Sequence, residues 1–150
     1  MAPPKPKGSG FGHWLAKLGT RLHIFLYRVS GGRIGATAFN SPVMLLTTKG
    51  AKTGKKRTVA ILYLKTDEGY AVVASYGGAD KHPAWFVNLR NNPTAEIQAG
   101  SQTHKVVPHI ATSEEKAELW PRLTAMYPDY QIYQDRSARD IPVVILRPAN

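Results

Sequence analysis

The spacing of apolar residues predicts an amphipathic helix over residues 11–29. Apolar side chains recur there every three or four residues, which is the spacing of one helix face. They are Phe11, Trp14, Leu15, Leu18, Leu22, Phe25 and Leu26. Basic residues lie between them, and Gly31 and Gly32 predict the end of the helix. Such a helix either packs on a protein core or lies in a lipid interface, where its cations meet head groups.

Runs of branched and aromatic residues predict about six strands. The runs lie at 42–48, 57–66, 70–78, 94–100, 102–111 and 140–148. A glycine-containing basic loop separates the first two runs, and short polar or glycine-bearing turns at 67–69 and 100–101 separate two further pairs. Neighbouring runs are therefore expected to pair as antiparallel hairpins.

Two further segments predict helices. The segment DKHPAWFVNLRNNP is expected to form a short helix that Asp80 caps and that tolerates Pro83 in its first turn. A later segment begins with Thr112 and Glu115 at the spacing of a capping box, and two internal prolines predict a bent helix or two short ones. Because the elements show no repeat and no strict βαβ alternation, their order predicts a mainly β (α+β) fold. We expect a mostly antiparallel barrel with peripheral helices.

The composition indicates one domain that stays inside the cell. The 150 residues suffice for a single packed core, formed by residues 11–150, and residues 1–10 are expected to be a mobile basic tail. No apolar run approaches the roughly 20 residues that span a bilayer, and the pattern of a signal peptide is missing. Cysteine is absent, which excludes disulfides and thiolate chemistry, so a redox activity would need a bound cofactor.

The positive charge lies in the front half of the chain. Residues 1–66 contain twelve Lys and Arg and no acid, whereas residues 67–150 contain eight Lys and Arg against ten acids. The two parts therefore carry +12 and −2, which together make the net charge of +10. A field of one sign attracts phosphates, anionic lipid or an acidic small molecule.

The loop TTKGAKTGKKR, residues 47–57, concentrates five of these cations around two glycines. It is not a nucleotide-hydrolase phosphate loop, because Gly50 and Gly54 are too close, Lys55 precedes Lys56 rather than Ser or Thr, and a strand follows. It can still curl its N–H groups around an anion, or it can be a solvated turn.

The basic run lacks the interleaved aromatics of a nucleic-acid platform. No histidine pair has metal-ligand spacing, so neither nucleic acid nor metal is expected.

Three tyrosines recur at helical spacing near the end of the chain. Tyr127, Tyr130 and Tyr133 are at i, i+3 and i+6, which places them on one face of a helix. They could be core or interface residues. Alternatively, they form a pocket wall whose rings hold a flat substrate while the neutral hydroxyls donate hydrogen bonds or protons.

Four stretches together resemble the deazaflavin-dependent nitroreductase family of actinobacteria. They are LLTTKGAKTGKKR, ASYGGADKHPAWFVNLRNNP, WPRLTAMYPDYQIYQDR and IPVVILRP, and the likeness covers about residues 20–148. Members of that family are split β-barrel proteins that use coenzyme F-420. The resemblance implies an oxidoreductase that transfers a hydride from reduced F-420 to quinones, nitroimidazoles or related acceptors.

The resemblance also implies the site residues. Lys52, Thr53 and Arg57 match the positions that hold the acidic cofactor tail. The full set of implied cofactor contacts is Lys52, Thr53, Arg57, Thr58, Ala74, Ser75, Tyr76, Ala84, Trp85, Asn88 and Tyr130. The implied substrate-binding residues are Tyr127, Tyr130, Tyr133 and Ser75, and the last three of these are the implied catalytic residues.

This chain departs from the family pattern at three positions. Ala51 stands where the family commonly has Arg, Tyr76 where relatives can have Lys, and Ala84 where a bulkier Met can occur. The first change removes a cation from the tail site, and the third enlarges the expected pocket.

Two other functions fit the same residues, and the chain is also expected to contact the membrane. The alternatives are a non-catalytic F-420 or lipid carrier and a split-barrel oxidoreductase that uses flavin mononucleotide. Because respiratory quinones live in lipid, residues 5–28 are expected to contact anionic membrane from the cytoplasmic side. The oligomeric state is left open by the sequence.

Overall fold

The chain forms an antiparallel sheet, curled into a half-barrel, with four helices around it. This computed structural model describes the backbone of residues 10–149 and the side chains of residues 19–149. The helices are α1 (Gly10–Val29), α2 (Ala84–Asn91), α3 (Ser113–Met126) and α4 (Asp129–Arg136). The strands are β1 (Thr37–Ala38), β2 (Ser41–Lys49), β3 (Lys56–Leu62), β4 (Leu64–Lys65), β5 (Tyr70–Val73), β6 (Ala95–Ala99), β7 (Gln102–Ile110) and β8 (Val143–Pro148).

The sheet closes at one end and splits at the other. Its order is β1-β2-β6-β7-β8-β5-β4, with β3 on the other edge of β2, and all pairs are antiparallel. Only Tyr63 separates β3 from β4, so one bent segment pairs first with β2 and then with β5. Six strands have four or more residues, which confirms the predicted split barrel of about six strands.

The basic loop is the tip of the hairpin that β2 and β3 form. Their register runs from Val43 opposite Leu62 to Lys49 opposite Lys56. Beyond that last pair, the Gly50 N–H donates to the Lys55 carbonyl and the Gly54 N–H donates to the Gly50 carbonyl, both at 2.8 Å. The predicted hairpin is therefore confirmed, and its cations project from a closed turn.

Two buried clusters lie on opposite faces of the sheet. On β8, Val144 and Leu146 belong to the cluster under α2, whereas Val143 and Ile145 belong to the cluster under α3 and α4. The same alternation occurs along β5. The period of two residues in a strand thus divides one continuous apolar run between two helical layers.

Helix α1 is attached through Tyr27. This side chain is fully buried, and its hydroxyl donates to the Val43 carbonyl at 3.0 Å and accepts from the Gly100 N–H at 2.8 Å. Leu22 and Phe25, which the helical pattern assigned to the apolar face, are 57% and 59% exposed, so of the two alternatives for this face these side chains do not follow packing on the core. The side chains of the earlier apolar positions and the predicted tail lie outside the described residues.

Two local predictions also need correction. Strand β5 ends at Val73, because Tyr76, Gly77 and Gly78 all have positive φ (46°, 64° and 83°), which an extended strand cannot contain. Asp80 does not cap α2; its Oδ1 accepts from the Ala138 N–H at 3.0 Å, and Pro83 occupies the cap position.

The long C-terminal helical segment follows the prediction in outline. The capping box of Thr112 and Glu115 is present, and α3 continues through Pro121. The break falls at Tyr127 and Pro128, and α4 begins at Asp129. The bond from the Thr112 N–H, together with one from His109, holds the pKa of Glu115 down to about 2.

We expect Tyr27→Phe to lower the free energy of unfolding by about 1–3 kcal/mol, because a buried carbonyl and a buried N–H lose their partner. Urea unfolding followed by circular dichroism measures the change. Tyr70→Phe is the matched control, since the half-buried Tyr70 hydroxyl has no hydrogen-bond partner in the described part of the chain. An equal effect of the two variants would contradict the anchoring role of Tyr27.

Candidate functional site

A cleft runs along the split of the sheet and consists of two adjoining cavities. The first, here called the basic cavity, has a volume of about 750 Å³ and is lined by the hairpin tip and the start of α2. The second, the tyrosine pocket, has a volume of about 480 Å³ and lies between β3, the turn after β5, and α4. Val59, Ala84 and Trp85 line both cavities, so the two are continuous.

The basic cavity combines exposed cations with backbone from the hairpin. Lys52, Thr53, Lys56 and Arg57 line it, and all four are exposed. Among the residues that the structure describes, no Asp or Glu lines either cavity of the cleft. This end of the cleft is therefore suited to a ligand that carries several negative charges.

Asn88 holds the hairpin tip against α2. Its side chain is 7% exposed; Oδ1 accepts from the Ala51 N–H at 2.9 Å, and Nδ2 donates to the Thr48 Oγ1 at 3.0 Å. Both polar atoms of the side-chain amide are thus hydrogen-bonded to the protein. The structure places Asn88 at the cavity as the residue that positions the basic loop.

The Thr58 hydroxyl also has hydrogen-bond partners within the protein. Its Oγ1 lies 2.8 Å from the Thr47 Oγ1 and accepts from the Arg28 Nη2 at 2.9 Å. Arg28 therefore places a cation of α1 beside the basic cavity. Its partner Thr58 lies 30 positions further along the chain. The sequence pattern assigned Arg28 to the helix alone and did not indicate this contact.

The three tyrosines form a cluster around the bend between α3 and α4. Tyr127 has an extended backbone and ends α3, so the predicted arrangement on one helix face is wrong. The Tyr127 and Tyr133 hydroxyls are 3.0 Å apart, and the Tyr127 and Tyr130 rings pack edge to face at 4.9 Å. The bend brings the rings together, and all three line the tyrosine pocket.

The Tyr130 hydroxyl is the accessible part of a buried side chain. Tyr130 is only 4% exposed, and its hydroxyl has no hydrogen-bond partner among the described residues. No fully buried side-chain oxygen or nitrogen in that part of the chain lacks a partner. The hydroxyl must therefore reach solvent, and the tyrosine pocket is where Tyr130 meets it.

The Tyr127 and Tyr130 hydroxyls remain protonated at neutral pH. Burial raises the pKa of Tyr127, and its hydrogen bond to Tyr133 raises it further. Burial also raises the pKa of Tyr130, with a smaller contribution from nearby Tyr133. Both groups are consequently neutral O–H groups that can donate to a ligand in the pocket.

The turn after β5 brings Ser75 and Tyr76 to the same pocket. Ser75 lines it and its Oγ has no partner in the described chain, whereas Tyr76 is 52% exposed with a strained φ of 46°. Gly78 packs against α4, where an added Cβ would lie 3.0 Å from the Tyr133 carbonyl oxygen. Ala74 is different, because it is fully buried in the core and lines neither cavity.

Arg139 fixes this turn, and the sequence offered no sign of it. Its guanidinium donates to the Ala74, Ser75 and Ala79 carbonyls, each at 2.9 Å. These three carbonyls lie 60 to 65 positions before Arg139 in the chain. Arg139 lies in the segment RSARD, which belongs to no motif, so only the tertiary contacts reveal this role.

The described residues contain no group of three His, Asp or Glu side chains that could hold a metal ion. None of the helices in the described part of the chain has both the length and the apolar character needed to cross a bilayer.

Comparisons with known proteins agree with the geometry. The family described as F420H(2)-dependent quinone reductase matches residues 19–148. An F420H(2)-dependent quinone reductase of Mycobacterium tuberculosis strain H37Rv is 38% identical over 130 residues, which are 84% of this chain and 87% of that protein.

Two solved structures show the same fold. A structure of an F420-H2 dependent reductase (FDR-A) covers 75% of this chain and 100% of its own, with 38% identity and a TM-score of 0.65. A structure described as a domain-swapped dimer covers 91% of this chain and 98% of its own, with 33% identity and a TM-score of 0.68. These matches confirm the family and the split-barrel fold that the motifs indicated. The chain belongs to the F420H(2)-dependent quinone reductase family.

Proposed function

We propose that this protein is an oxidoreductase that transfers a hydride from reduced coenzyme F-420 to a quinone or to a related acceptor such as a nitroimidazole. The observation that carries the proposal is the continuous cleft, which is cationic at one end and offers hydroxyl donors at the other. An acidic cofactor and a carbonyl-bearing acceptor each find matching chemistry there. The family membership supports the same reading.

The basic cavity fits the acidic part of coenzyme F-420, which carries a phosphate and an oligoglutamate tail. Lys52, Thr53 and Arg57 would hold it through charge-assisted hydrogen bonds. Lys56 and Arg28 add charge nearby, which offsets the loss of a cation at Ala51. Trp85 and Ala84, which line both cavities, would flank the ring system between its tail and the acceptor.

When bound, reduced F-420 supplies a hydride, and negative charge then develops on the acceptor oxygen. The Ser75, Tyr130 and Tyr133 hydroxyls line the space where this acceptor would lie. A neutral O–H placed there stabilises the developing charge and can deliver a proton. Tyr127, which is 3.0 Å from the Tyr133 hydroxyl, can donate to Tyr133 and leave the Tyr133 proton free for the acceptor.

The alternatives make different use of the same cleft. A carrier of F-420 or lipid needs the basic cavity but has no need of proton donors, so the hydroxyl cluster favours catalysis. An enzyme that uses flavin mononucleotide would be yellow when purified.

The first experiment mixes the protein with reduced F-420 and menadione and follows the absorbance of the oxidised cofactor. Binding without oxidation would favour the carrier.

We expect Arg57→Gln to weaken binding of coenzyme F-420 about tenfold, because one charge-assisted bond to an acidic tail is lost. Fluorescence titration of the cofactor measures the dissociation constant. Lys105→Gln serves as the control, since Lys105 is an exposed cation on β7 outside the cleft. Similar losses in both variants would mean that only the general field attracts the cofactor.

We expect Tyr133→Phe to lower kcat by about tenfold or more and to leave the affinity for F-420 almost unchanged, because a proton donor acts in the transition state. Steady-state kinetics with menadione and cofactor titration measure the two quantities. Tyr70→Phe, outside the cleft, controls for the loss of a hydroxyl. Equal turnover in Tyr133→Phe and the parent protein would remove this residue from the mechanism.

The exposed side of α1 supports peripheral attachment to the inner face of the cell membrane. Leu22, Phe25 and Val29 are 57%, 59% and 65% exposed and recur at i, i+3 and i+7, so they form one apolar stripe. Arg21 and Arg33 are exposed cations near it. An apolar stripe beside cations matches the interfacial helices that bind anionic lipid.

We expect Phe25→Asp to reduce the fraction of protein that sediments with anionic liposomes at low salt, because it places a carboxylate in the stripe. Ile110→Asp, at a similarly exposed apolar residue on β7, should leave sedimentation unchanged. If the parent protein stays in the supernatant, the membrane proposal fails.

A further inference from the structure

Arg139 binds the turn after β5 from outside the tyrosine pocket. Ser75 lines the pocket, whereas Arg139 does not belong to its lining. The Arg139 Nη2 donates to the Ala74 and Ser75 carbonyls, and its Nε donates to the Ala79 carbonyl. The guanidinium therefore joins the two ends of the turn without occupying the space that a ligand would fill.

The third nitrogen of the guanidinium faces His82. The Arg139 Nη1 lies 3.4 Å from the His82 Nδ1, and the His82 ring packs on Phe86 of α2 at 4.6 Å. Burial lowers the pKa of His82, and the charges of Arg139 and Arg90 lower it further, so the neutral ring can accept at Nδ1. No Asp or Glu in the described part of the chain forms an ion pair with Arg139. Backbone carbonyls and an imidazole thus fix the planar fork of this cation.

The turn adopts a conformation that needs such support. Tyr76, Gly77 and Gly78 have φ of 46°, 64° and 83°. A tyrosine rarely adopts a positive φ, and a strained residue persists only where the surrounding structure holds it. Ser75 directly precedes this run, and its Oγ has no hydrogen-bond partner among the described residues. Contacts to the backbone of the turn therefore fix the position of the Ser75 hydroxyl.

The same segment also fixes the turn against α4. An added Cβ at Gly78 would lie 3.0 Å from the Tyr133 carbonyl oxygen and 3.1 Å from the Tyr133 Cα. The Ser137 N–H donates to the Tyr133 carbonyl at 3.0 Å, and the Ser137 Oγ donates to the Ala79 carbonyl at 3.3 Å. Arg139, two residues later, donates to the same Ala79 carbonyl. The turn and the helix that carries the tyrosines are thus one connected unit.

The chemistry of the tyrosine pocket makes this connection important. Among the described residues, no charged side chain lines the pocket. In the proposed function its donors are the neutral hydroxyls of Ser75, Tyr130 and Tyr133. Neutral donors stabilise a developing charge best when they are held in place beforehand, and a displacement of about 1 Å can lower a rate about a hundredfold.

We propose that Arg139 is a positioning residue for the reduction: through the turn after β5, it holds the Ser75 hydroxyl at a fixed distance from the Tyr130 and Tyr133 hydroxyls. This inference rests on the proposed function and adds to it a residue that lines neither cavity of the cleft. Arg139 acts on the reaction through Ser75 and has no contact of its own with the acceptor.

The test is a double-mutant cycle between Arg139 and Ser75, with reduced F-420 and menadione as substrates. We expect Arg139→Gln and Ser75→Ala each to lower kcat by about tenfold, because a donor is displaced or lost. The double variant should also lose about tenfold rather than about a hundredfold, because Arg139 then has no donor left to position. Fluorescence titration should show that Arg139→Gln changes the affinity for F-420 by less than about twofold, since the basic cavity is intact.

Two further variants control for charge and for folding. Arg136 is an exposed cation at the end of α4 with no hydrogen bond or ion pair among the described residues, so Arg136→Gln should leave kcat within about twofold of the parent value. Arg139→Lys keeps the charge and guards against a misfolded Arg139→Gln. It lacks the planar fork that reaches three carbonyls, so it should still lower kcat by about fivefold.

A readout without turnover separates this inference from the proposed function. In the cofactor-free protein, NMR order parameters of the Ser75 to Gly78 amides should fall from about 0.85 toward about 0.6 in Arg139→Gln and stay unchanged in Arg136→Gln. Parent-like kcat in Arg139→Gln, multiplied losses in the double variant, or unchanged order parameters would overturn the positioning role, and the reductase activity would stand. If the parent protein does not oxidise reduced F-420, the proposed function fails. Lowered order parameters would then still support the role of Arg139 in holding Ser75, and unchanged ones would overturn it.

Discussion

The cleft exists because one bent strand segment must serve two neighbours. The first part of this segment, β3, pairs with β2, and only the last two residues, as β4, pair with β5. The edge-to-face contact of Tyr63 and Tyr70 at 5.4 Å joins the halves where the sheet closes. Beyond that point β3 diverges from β5, and the side chains that a closed barrel would bury line an open pocket instead. The basic cavity and the tyrosine pocket both lie along this opening.

The opening changes character along its length. Cations of the hairpin tip dominate one end, hydroxyl groups on partly buried rings occupy the middle, and aliphatic side chains under α1 line the other end. In the proposed function, the cationic region would hold an acidic cofactor tail and the hydroxyl region would hold a carbonyl acceptor. The charges and hydrogen-bond donors of the cleft would orient these ligands, so the protein would supply position and electrostatics more than covalent chemistry.

The turn from Ser75 to Gly78 shows how the fold maintains an unfavourable local conformation. Three consecutive positive φ angles, one of them at Tyr76, disfavour this turn in an isolated chain. The Arg139 guanidinium offsets that cost by donating hydrogen bonds to three carbonyls. Gly78 has no Cβ, which allows α4 to approach the turn closely. The result is a Ser75 side chain held beside the tyrosine cluster. Loss of Arg139 would affect the site without any contact to a ligand.

The sequence by itself determined the features that depend on local periodicity and local turns. Alternation in the strands, the capping box at Thr112 and the glycine-bearing hairpin could all be predicted, because short-range sterics and hydrogen bonds favour them. The order of elements predicted an antiparallel barrel, and the resemblance of the motifs to a known family implied its split form. Motif order also indicated the family. The tyrosines were recognised as a group, although their geometry was not.

The tertiary structure decided everything that depends on contacts between distant segments. Arg139 and Asn88 acquire their roles from carbonyls and an N–H at least 37 positions away. Leu22 and Phe25 are exposed because Tyr27 turns the opposite side of α1 toward the core. The tyrosine cluster depends on the bend after α3. Hydrophobic periodicity states that a face is apolar; only the packing of the whole chain decides whether that face is buried, lines a cleft or meets solvent.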